Sequence, residues 1–125
     1  MATTIYETYQ TDGSANMVSL NGVVGFAQPG ATSVTIDSVP KVVSTADSNG
    51  IYKDNFDVNL GTNSDLKGKL LEVTAKITIF NSPTSSSLTL QLSGGGAPQG
   101  FELNNPATGV SAGDVIEYYA SITFL

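Results

Sequence analysis

A chain of 125 residues with a formal net charge of -6 and no histidine, cysteine or tryptophan is excluded from several chemistries before any motif is sought. Without cysteine there is no disulfide framework and no thiolate site, and without His or Cys no Ser-His-Asp or Cys-His nucleophile can be assembled. All the basic residues are lysines, Lys41, Lys53, Lys67, Lys69 and Lys76, so an acidic chain offers neither the arginine fork nor the positive field that nucleic acid or an anionic membrane requires.

The length fits one domain, residues 1–125, with a single core and no internal repeat. No run approaches the roughly 18 apolar residues of a membrane helix, and the opening MATTIYETYQ has neither a basic nor an apolar signal region. The expectation is a soluble product without membrane insertion, made in the cytoplasm or carried in a virion.

In chain order, Ile5 to Gln10 alternates Ile5, Glu7 and Tyr9 against Tyr6 and Thr8, which suits a first strand, and Asp12-Gly13 turns the chain. Met17 to Leu20 and Val23 to Phe26 flank Asn21-Gly22, the pattern of a tight hairpin. Ser33 to Asp37 is a short strand with Val34 and Ile36 inward. Pro40, which has no N–H, confines Val39 to Val43 to an edge or a bulge. Thr45 to Lys53 is the densest polar loop; Phe56, Val58 and Leu60 then resume the period of two, and Gly61 to Gly68 connects onward.

Leu70 to Phe80 is the clearest strand. Leu71, Val73, Ala75, Ile77 and Ile79 point to one face and Glu72, Thr74, Lys76 and Thr78 to the other. Asn81 to Ser87 has loop chemistry, Leu88, Leu90 and Leu92 mark a further strand, and Gly94 to Gly100 (GGGAPQG) is predicted as a flexible linker. Phe101 to Leu103 is briefly extended, Asn104 to Gly113 is rich in turns, and Val115 to Leu125 is the last strand. No segment carries helical apolar spacing over helical length. The pattern predicts an all-β, antiparallel two-sheet sandwich of about eight strands. Lacking the Cys, Trp, Cys set of antibody domains, it is expected to be jelly-roll-like in preference to immunoglobulin-like.

Candidate chemistry is thin. Ser64 and Lys67 stand at Ser-x-x-Lys spacing with no further support, and the carboxylate pairs Asp54 with Asp57 and Asp114 with Glu117 point to opposite faces of a strand. Gly95 and Gly100 have Walker spacing, but Phe101 stands where lysine is needed. Asp47, Asn49, Asp54 and Asp57 supply hard oxygen donors for calcium without the EF-hand spacing, and Asx turns account for the same residues. Tyr52, in that loop, is a candidate ring for stacking on carbohydrate.

The last strand differs from Leu70 to Phe80 in its second face, where Val115, Tyr119 and Leu125 are predicted to form part of an apolar patch. Either the segment around Ile5 and Tyr9 folds over it or a second copy of the chain does. The expected function is therefore a non-catalytic structural or interaction protein. It would pack as a homo-oligomer or in a larger assembly of the virion, fibre or surface-layer type, without a cofactor. A carbohydrate- or calcium-binding module is the alternative, and an enzyme the remote one.

Overall fold

The computed structural model describes every residue except Met1, Ala27, 42–45, Asp54, 81–83 and 106–107. The chain forms β1 (Ala2–Tyr9), β2 (Met17–Gly25), β3 (Gly30–Ile36), β4 (Val39–Pro40), β5 (Phe56–Thr62), α1 (Asn63–Leu66), β6 (Leu70–Thr78), β7 (Ser87–Ser93), β8 (Gln99–Asn104) and β9 (Val115–Phe124). Two sheets result, in the orders β1-β9-β6-β3-β4 and β5-β2-β7-β8. Because successive side chains alternate across a strand, one set from each element meets between the sheets. Leu71, Val73, Ala75 and Ile77 of β6, Leu88, Leu90 and Leu92 of β7, and Ile116, Tyr118, Ala120 and Ile122 of β9 are all 0% exposed.

The all-β two-sheet sandwich is thus as the alternation predicts, but not every pair is antiparallel. β1 runs parallel to β9, with Ala2 to Tyr9 beside Glu117 to Phe124. The whole chain separates these two strands, so no hairpin dictates their relative direction.

The predicted Asn21-Gly22 hairpin does not form. β2 runs straight through it, pairing with β5 on one side and β7 on the other. Gly22 lies opposite Phe56, and a Cβ there would sit 2.2 Å from the Phe56 Cζ. That ring is buried and stacked on Tyr52, with centroids 4.7 Å apart. The glycine therefore makes room in a strand; it does not turn one. The two-residue turn is Asp37-Ser38, with φ of 47° and 66°, joining β3 to the edge strand β4. Asp37 is held in this left-handed backbone by Leu70, whose N–H donates to its Oδ1 at 2.8 Å and whose carbonyl accepts from its N–H at 2.9 Å. The Val39–Pro40 edge fits the sequence reading, while Val42 and Val43 lie outside the described residues.

Gly94 to Gly96, expected as a flexible linker, packs against the end of β1. The Gly95 N–H donates to Tyr9 Oη at 3.0 Å, and the Gly96 N–H donates to the Gln10 carbonyl at 2.9 Å. The connection Gly61 to Gly68 contains α1, whose N-cap Thr62 accepts from the Asp65 N–H. Asn63 is buried there, and its amide donates to the carbonyls of Asn16 (2.9 Å) and Gly94 (2.8 Å) and accepts from the Asp12 N–H (3.1 Å).

Replacing Gly22 by Ala should destabilise the fold by about 1–3 kcal/mol, the usual cost of overpacking. Urea unfolding would measure it, and the penalty should shrink in a Phe56→Leu background. A loss in the native background below about 0.5 kcal/mol, the level of an ordinary surface change, would show that the Phe56 ring does not depend on the glycine.

Candidate functional site

Ladder registers fix what the outer face of the five-stranded sheet displays. Thr4, Tyr119, Thr74 and Ser33 form one row across β1, β9, β6 and β3, and Tyr6, Ser121, Glu72 and Thr35 form the next. The Tyr119 hydroxyl donates to the Glu72 carboxylate. The rings of Tyr6 and Tyr119 meet edge to face, with centroids 6.4 Å apart at 70°. Tyr6 is nonetheless 76% exposed. Lys76 and Glu117 form a solvent-exposed ion pair at 3.7 Å, of little worth to stability.

The structure spreads the predicted patch apart. Val115 and Leu125 are 47% and 46% exposed, but they sit at opposite ends of β9, roughly 33 Å apart at the usual strand rise. Exposed Glu117 and Thr123 interrupt the line between them. Nor does the N-terminal segment fold over this face. It adds beside β9 as a further strand, burying Tyr9 in the core and setting Tyr6 on the same face as Tyr119.

Val115 finds different company. It pairs with Thr78, and Phe80, two residues beyond, is 75% exposed. The pairing continues past the strand end, because the Ile79 N–H donates to the Asp114 carbonyl at 2.8 Å. Gln28 ties in the neighbouring loop, accepting from the Phe80 N–H (2.8 Å) and donating to the Ser85 carbonyl (2.9 Å). At the start of that loop Phe26 is 53% exposed and held at φ 62°. A bulky residue in left-handed backbone costs on the order of 1–3 kcal/mol, and such residues gather at functional positions. One end of the sandwich therefore carries Phe26, Phe80 and Val115.

Of the described calcium candidates, Asp47 and Asn49 share one turn and Asp57 lies on β5. Asp47 Oδ1 accepts from the N–H groups of Asn49 (2.8 Å) and Ile51 (3.0 Å), a closed Asx turn. The Ile51 bond first and the Asn49 bond second hold the Asp47 carboxyl below its ordinary range. Asp57 projects from β5 opposite Asn21, on the other sheet, and Asp54 lies outside the described residues. Among the described residues no group of three or more acidic side chains could hold a metal. Tyr52 is not a sugar-stacking ring either: it is 1% exposed, stacked on Phe56, and its hydroxyl donates to the Lys41 carbonyl at 3.0 Å. Among the described residues no helix is long and apolar enough to cross a membrane.

No family model, curated protein or solved structure matches this chain. The geometry alone carries its functional reading.

The sequence missed Tyr6, Phe26 and Phe80. The period of two already placed Tyr6 opposite Tyr9, but only the register of β1 on β9 puts its ring against Tyr119.

Two outcomes follow. Asp47→Ala should lower the melting temperature equally with and without millimolar calcium, since the carboxylate closes a turn; calcium protection lost in the variant would contradict this. The bond to Glu72, foremost, and then burial raise the Tyr119 phenol above its ordinary pKa of 10.0. A folded-state pKa above the unfolded one means the native state keeps its proton longer. The contribution is therefore complete below pH 10 and falls away as pH rises through the folded value. Stability measured across that alkaline window should drop more steeply in the native protein than in Tyr119→Phe, and equal slopes would refute the coupling.

Proposed function

We propose that this is a non-catalytic structural or interaction protein that assembles with copies of itself, as in a virion, fibre or surface layer. The observation that carries the reading is the exposed apolar end of the sandwich, which carries Phe80 (75% exposed), Phe26 (53%) and Val115 (47%). Water covers such a group poorly, and exposed apolar clusters mark contacts. A two-fold axis near this end would set each cluster against its mate, which suits the self-complementary contact of a homo-oligomer. Of the three residues expected at the interface, Val115 belongs to this end, Tyr119 to the face beside Tyr6, and Leu125 to the far end.

Light scattering on the purified protein should return a multiple of 12.9 kDa. Phe80→Glu and Val115→Lys should each shift the mass towards the monomer without changing the far-UV spectrum. A monomeric native protein, or an oligomer indifferent to both substitutions, would overturn the proposal.

A further inference from the structure

The outer face holds a second feature, remote from the apolar end. Between β1 and β9, Tyr6, Glu7, Thr8, Ser121 and Thr123 line an open pocket of about 320 Å³, at the small end of the range for ligand sites. Its floor follows directly from the register. Tyr6 pairs with Ser121 and Thr8 with Thr123, so one ring and three hydroxyls occupy the corners of a cell about 5 Å across the strands and about 7 Å along them. Tyr6 is 76% exposed yet restrained, because it packs on Tyr119, which Glu72 in turn holds through its hydroxyl.

We infer that this pocket binds a neutral saccharide, with one sugar ring stacked on Tyr6 and its hydroxyls bonded to Thr8, Ser121 and Thr123. The faintly positive C–H edge of a sugar ring complements the negative face of an aromatic ring. Ser and Thr hydroxyls both donate and accept, as sugar hydroxyls require. Glu72 of β6 lies directly opposite Ser121 and keeps acceptor sites beyond the one that Tyr119 fills. An anionic ligand is disfavoured, since the lining holds no cation and includes Glu7, in a chain of net charge -6. A purely apolar ligand would strip water from three hydroxyls without replacing their bonds. The inference does not rest on self-assembly, since Val115 and Ser121 are roughly 20 Å apart along β9.

The test is a ¹⁵N NMR titration of the full chain with three neutral probes at high millimolar concentration: maltotriose, cellotriose and triacetylchitotriose. Shifts clustered at Tyr6, Thr8, Ser121 and Thr123 with at least one probe are expected, and inorganic phosphate should leave those residues unmoved. Tyr6→Thr, which keeps a strand-forming residue at an exposed position, should weaken binding on the order of tenfold as the stacking ring is lost. Thr8→Val, which keeps the shape and removes a hydroxyl, should weaken it severalfold, while Phe80→Glu should leave it unchanged. Silence at these residues with all three probes, or binding that survives Tyr6→Thr in a variant with native melting, would overturn the inference.

Discussion

β6 and β9 are joined by an unbroken antiparallel ladder, from Leu70 opposite Thr123 to Thr78 opposite Val115, and the outer positions of the five-stranded sheet all depend on its register. A slip of one residue would turn Ile116, Tyr118, Ala120 and Ile122 outward and bring Glu117 and Tyr119 into the core. β3 pairs on the free side of β6 and β1 on the free side of β9, so both inherit that register. The face that results is not an accident of surface composition. Glu72 lies one row from Tyr119, and Tyr6 one row from Tyr119 on its other side, because three ladders agree on which residues point out.

Each end of the sandwich combines buried polar ties with exposed apolar side chains. At one, the buried amide of Asn63 joins the loop before β2 to the β7–β8 turn with each hydrogen bond made to backbone. The Leu125 carbonyl is held there too, accepting from the Thr11 hydroxyl at 2.6 Å. A buried polar group satisfied in this way specifies a geometry, since removing any partner leaves the others unpaired at a cost of about 1–3 kcal/mol. The other end has Gln28 and the buried Ser86 hydroxyl, 2.7 Å from Tyr118 Oη, as its ties, and leaves Phe26 and Phe80 to solvent. The first end exposes Met17 and Leu125, so what sets the second apart is its two exposed phenylalanine rings.

How far the sequence could be read depended on the range of the interaction involved. Strands whose two faces differ were legible from period-two alternation, as in Leu71 to Ile79 or Leu88 to Leu92, because burial on one face writes itself into every second residue. Turn chemistry misled where tertiary packing overrode it. Asn21-Gly22 reads as a hairpin locally, yet its glycine answers to Phe56, a residue 34 positions away in the chain. Asp37-Ser38 turns without glycine because Leu70 holds it. Tyrosines show the same limit. Tyr52 and Tyr6 look equally able to meet a ligand in sequence, but one is enclosed by Phe56 and β3 while the other lies on the outer face of β1. The parallel pairing of β1 with β9 has no local signature at all, since it joins the two ends of the chain.

The positions of the apolar end and the Tyr6 pocket give the two proposals a physical relation. A shallow pocket with one stacking ring and a few hydroxyls buries little of a sugar, so a single site binds weakly. Copies joined through Phe80 and Val115 would hold their β1–β9 faces in a fixed mutual geometry, with the pockets outside the contact. Each further site then meets its ligand at a high effective concentration, provided the spacing of the glycans matches that of the pockets. Weak sites on a rigid array can engage a dense glycan surface firmly while releasing a free sugar readily. A monomer bearing the same pocket would lack that discrimination, because its affinity for one sugar ring is the same whether the ring is free or displayed. On this argument, an apolar end that leaves the Tyr6 face open is worth more to the protein than one that would cover it.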